Sequence, residues 1–74
     1  MQQRIAFNPL ITLDLRGASD ECLRIAAGQE RAGIYAAANY WTELALDIED
    51  GRYLGEARTA QLLEKAPFLK RFLR

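Results

Sequence analysis

Histidine and valine are both absent from these 74 residues, and cysteine occurs once. Without histidine, the usual general base near neutral pH and the commonest metal ligand are missing, so catalysis is not expected. One cysteine permits no internal disulfide, and without histidine it excludes the usual zinc sets. The lone thiol, Cys22, points to a reducing, cytoplasmic setting. Near the start of an expected helix its pKa would be lowered by the helix dipole, but Asp20 and Glu21 oppose that, so a buried structural role is expected. No apolar run approaches the ~20 residues of a membrane span. Met1-Gln2-Gln3-Arg4 leads into nothing like a signal-peptide core. There is no phosphate-binding glycine pattern, no repeat and no low-complexity segment. Asp47-Ile48-Glu49-Asp50-Gly51 superficially resembles a calcium loop, but the glycine comes one position early and Arg58 replaces the closing Glu. No metal and no cofactor are expected.

What is present is helix-forming. There are twelve Ala and eleven Leu, and a hydrophobic fraction of 50% is too high for disorder. Valine, a strand former, is the residue missing. The length suits one domain over residues 1–74, with residues 1–9 an N-terminal arm ending at Asn8-Pro9. A chain this short buries only about 60% of its unfolded surface, so stabilisation by a partner or by self-association is expected. Net charge is zero but unevenly spread. Residues 43–50 hold Glu43, Asp47, Glu49 and Asp50 without a base; residues 65–74 hold Lys65, Lys70, Arg71 and Arg74 without an acid. Eight Arg against two Lys are compatible with a GC-rich bacterial or phage genome.

Alternation predicts a strand over residues 10–16. Ile11, Leu13 and Leu15 point one way, and Thr12, Asp14 and Arg16 the other. A lone strand needs a mate, in a second copy or on another protein. A helix follows over 19–30, with Ser19 as N-cap. Gly28 and Gly33 mark either a turn or a thinned stretch of one long helix. The next helix, 34–50, carries the strongest stripe: Ile34, Ala38, Trp41, Ala45 and Ile48, widened by Leu44. Gly51 ends it and residues 51–55 turn. A third helix spans 56–73 with a kink at Pro67. The fold class is mainly α: a helical hairpin preceded by one short strand or extended arm, expected to form a homodimer. Ile11, Leu13, Leu15, Ile34, Trp41, Leu44 and Ile48 are its expected core and dimerisation residues. The aromatic face of the C-terminal segment, Phe68 and Phe72, is expected to pack on Ala32, Gly33, Ala36 and Ala37.

The function expected is binding without catalysis, by a small regulatory protein of bacterial or phage type. It would dock stoichiometrically on a larger protein as an inhibitor or adaptor. Candidate partner-binding residues are Tyr35, Tyr40 and Tyr53 with Arg52, since Tyr and Arg are enriched at hot spots. The acidic stripe Glu43, Asp47 and Asp50 would orient the contact against a basic patch. The alternative rests on element order. Strand, helix, glycine-containing turn and second helix over residues 10–50 resemble the ribbon-helix-helix architecture. That resemblance implies a dimeric DNA-binding repressor or antitoxin with Thr12, Asp14 and Arg16 facing the bases. Asp14 on that face, a neutral charge balance over residues 1–31, and the absence of Ser or Thr where the second helix begins make it the second choice.

Overall fold

Asp14 fixes where the first helix begins. Its backbone is extended (φ −75°, ψ 90°), and its carboxylate accepts a hydrogen bond from the Gly17 amide at 3.1 Å, as an N-cap does. The computed structural model describes residues 13–73. They form α1 (Leu15–Arg31), α2 (Tyr35–Glu49), α3 (Glu56–Lys65) and a 3-10 helix (Pro67–Phe72). The expected strand is therefore corrected. Leu15 and Arg16 are the first turn of α1, and no strand occurs among the described residues. One antiparallel bridge, Leu13 to Leu73, is the only strand-like pairing there. The physical reason is that an apolar–polar alternation this short equally fits an N-cap followed by a helical turn. Ile11 and Thr12 lie outside the described residues.

Ser19 is a second correction. It is not an N-cap but a buried residue in the second turn of α1. Its hydroxyl lies 2.9 Å from a Glu49 carboxylate oxygen and 3.3 Å from the Ala45 carbonyl, so it donates across to α2. Around it α1 buries Ala18, Cys22 and Ala26, all small, which lets α2 approach closely with Ala38, Leu44, Ala45 and Ile48. The two helices form a packed pair.

Both helices end on a glycine with positive φ. At the hairpin turn Gly33 has φ 80°, the Ile34 amide donates to the Gln29 carbonyl, and that of Gly33 donates to Glu30. After α2, Gly51 (φ 84°) repeats the pattern: Arg52 donates to Asp47, and Gly51 to Ile48. These paired bonds satisfy carbonyls that a helix end otherwise leaves open. Gly28 stays inside α1, so the turn is confined to residues after it.

Beyond the turn, Thr59 donates its hydroxyl to the Tyr53 carbonyl at 2.9 Å, fixing α3 on the 51–55 segment. α3 contributes Leu62 and Leu63 to the core. Ala66 then adopts extended geometry (φ −138°, ψ 77°) and Pro67 opens the 3-10 helix, where its missing N–H costs nothing. This last segment crosses the start of α1. The Asp14 amide donates to the Phe72 carbonyl at 2.8 Å, and the Phe72 ring lies over Gly17. The Phe68 ring meets Trp41 edge-on, with centroids 5.8 Å apart. The C-terminal aromatics thus complete the core at Gly17 and Trp41, not at Ala32, Gly33, Ala36 and Ala37 as expected; those four stay exposed or half-buried.

Candidate functional site

The 3-10 helix covers only the base of the hairpin. From residue 27 to residue 37 nothing is buried. The stripe on α2 runs past the cover available to it, so Ile34, expected in the core, is 52% exposed. Tyr35 beside it is 63% exposed. Leu23 on α1 and Leu46 on α2 are exposed too. Glu21 and Trp41 mark the sides of α1 and α2 that face the 3-10 helix. At about 100° per residue, Leu23 lies roughly 200° round α1 from Glu21, and Leu46 roughly 140° round α2 from Trp41. Tip and open face are therefore both left without cover by the 3-10 helix. Of the other expected core residues that are described, Leu13, Leu44 and Ile48 lie in the buried core cluster, and Leu15 and Trp41 are half-buried against it.

The expected docking residues divide. Tyr40 is 44% exposed, its ring edge-on to Trp41 at 5.3 Å and its face 5.9 Å from Lys65 Nζ. Glu43, Asp50 and Arg52 are exposed and Asp47 is half-buried. With Tyr40 these acids follow helical spacing along the outer face of α2. Tyr53 is different. At 4% exposure it belongs to the core, where the turn between Gly51 and Gly55 folds it inward, so it offers no docking surface. Only its hydroxyl reaches the edge, accepting from Lys65 Nζ at 3.4 Å.

That edge is part of a bowl of about 640 Å³ lined by Asp47, Arg52, Tyr53, Arg58, Gln61, Glu64 and Lys65. Arg58, Gln61 and Lys65 are not among the site residues expected from sequence. Their i, i+3, i+7 spacing on α3 is the signal that places them on one wall.

Of the three residues of the DNA-binding alternative, the two that are described, Asp14 and Arg16, do not lie on a strand. Thr12 is outside the described residues, Asp14 is occupied as the cap of α1, and Arg16 is exposed on the first helical turn. Arg16 lines a smaller hollow with Leu15, Asp20 and Glu49. Cys22 is fully buried, and burial, with Glu21 nearby, pushes its thiol up to about 11, which keeps it protonated at neutral pH. Among the described residues no group of acids and cysteine is placed to hold a metal, and no helix is long and apolar enough to cross a membrane. No family model, no curated protein and no solved structure matches the chain.

Proposed function

We propose that the protein is a non-enzymatic regulatory protein that docks stoichiometrically on a larger partner protein, inserting the tip of its hairpin into an apolar groove there. The observation that carries this reading is the exposure of Ile34 and Tyr35 at the hairpin tip and of Leu23 and Leu46 on the two helices, with nothing among the described residues covering them. Exposed aromatic and aliphatic residues projecting from a packed helix pair are the anchors a groove takes up. The acids Glu43, Asp47 and Asp50 on the outer face of α2 supply orientation against a basic rim. The absence of histidine from the chain supports binding in preference to catalysis. The buried, unpaired Cys22 suits a reducing cytoplasmic setting.

A photo-crosslinking residue placed at Tyr35 tests the reading directly. It is expected to yield one adduct with a single larger protein, while the same group at exposed Arg52 gives less. A second copy of this chain is the competing occupant. Adducts of twice the chain mass, with a dimer by sedimentation at micromolar concentration, would replace the larger partner by self-association.

A further inference from the structure

We propose that the bowl between the end of α2, the 51–55 turn and α3 binds a phosphate monoester carrying hydroxyl or amine groups. Three cations, Arg52, Arg58 and Lys65, line this 640 Å³ hollow. None of them has a carboxylate within 4.0 Å among the described residues, where both ion pairs are made by Glu21. Arg58 is held by a 3.2 Å hydrogen bond from Nη1 to the Arg52 carbonyl, which leaves its other donors free. Lys65 is held between the Tyr53 hydroxyl and the Tyr40 ring. With three cations and two carboxylates, Asp47 and Glu64, in the lining and no ion pair between them, the hollow keeps a positive surplus that an anion between the cations would neutralise.

The arrangement selects the anion. A carboxylate is planar and is satisfied by one guanidinium fork; a phosphate monoester presents three terminal oxygens and accepts from several directions at once. Arg52 on the turn, Arg58 near the start of α3 and Lys65 at its end line the hollow from three places, with Gln61 between the last two along α3. The hollow holds far more than a phosphate group, since a water occupies about 30 Å³ of liquid. Asp47 and Glu64 also line it and would repel a bare anion. They suit a ligand whose organic part donates hydrogen bonds from hydroxyl or ammonium groups. This site is independent of the hairpin tip and stands whether or not the tip docks.

The source of the phosphate is either a free small molecule or a phosphorylated side chain, and two probes separate them. The full chain, labelled with nitrogen-15, is titrated with glycerol 3-phosphate and with a capped phosphoserine peptide, with acetate at matched ionic strength as control. Saturable shifts confined to amides of residues 47–65 are expected with the phosphates and not with acetate. Arg52→Ala and Lys65→Ala should each weaken them at least tenfold, and Arg16→Ala should not. Tighter binding of the peptide assigns the phosphate to a protein, and the reverse assigns it to a metabolite. Shifts that do not saturate, that acetate reproduces, or that survive both substitutions in a chain still folded by circular dichroism overturn the site.

Discussion

At Gly17 a glycine serves contact, not backbone freedom. A Cβ there would lie 2.6 Å from an Asp14 carboxylate oxygen and 2.8 Å from the Phe72 ring. Gly17→Ala gains up to ~1 kcal/mol of helix propensity. It must also displace the cap or the ring, and overpacking of this kind costs about 1–3 kcal/mol. The urea midpoint is therefore expected to fall; a rise would mean that neither contact is tight. Glu21 is the other residue whose chemistry reaches beyond itself. Its hydrogen bond from Arg24 holds its pKa below the usual 4.5, aided by Arg71, which it pairs at 2.7 Å. A carboxylate with a depressed folded pKa adds stability above its unfolded pKa, and loses it as pH falls through the folded one. The melting temperature should thus drop as pH falls below about 4.5, and Glu21→Gln should flatten that part of the profile. An unchanged profile would show that the pair contributes nothing measurable, as exposed pairs often do.

Between elements, the 3-10 helix decides how much of the hairpin is covered. Leu69 is its fully buried residue, and beside it Phe68 and Phe72 seal Trp41 and Gly17. Leu69→Ala should cost about 2–5 kcal/mol, read by denaturant unfolding followed at Trp41. A loss under ~1 kcal/mol would detach this segment from the core. Which elements could be read from sequence follows from the length of each pattern. α2 was legible because its stripe continues for four turns and stops at a glycine suited to positive φ. Composition made the chain mainly helical, since alanine and leucine dominate. The start of α1 was not legible. Leu13-Asp14-Leu15-Arg16 alternates over too few residues to separate period two from a cap and one turn, and Ser19 resembles a cap as well as it suits a helix crossing. Periodicity also says nothing about how far a neighbour extends. Ile34 satisfied the stripe yet has no cover, and Tyr53 stood in a turn yet folds inward. The bowl drew residues from three segments, which no single window of sequence brings together.

Taken whole, the molecule has a closed base, where α3 and the 3-10 helix seal one end of a helix pair, and an open tip. The base carries the buried cluster and the cation-lined bowl; the tip carries apolar side chains with nothing against them. At the tip the hydrogen-bonded Gly33 turn closes α1 and sets the direction in which α2 leaves it. A tip of this kind contributes little to the chain's own stability, because exposed side chains are worth only a few tenths of a kcal/mol. It can contribute strongly to binding, where a buried aromatic anchor is worth about 2 kcal/mol or more. The two roles separate in one comparison of stability with partner association. Ile34→Asp and Tyr35→Ala are each made, melting temperature is followed by circular dichroism, and affinity for the partner crosslinked at Tyr35 is measured by calorimetry. The expected result is an unchanged melting temperature with affinity reduced at least tenfold; unchanged affinity, or a melting temperature lowered by several degrees, would contradict a docking tip.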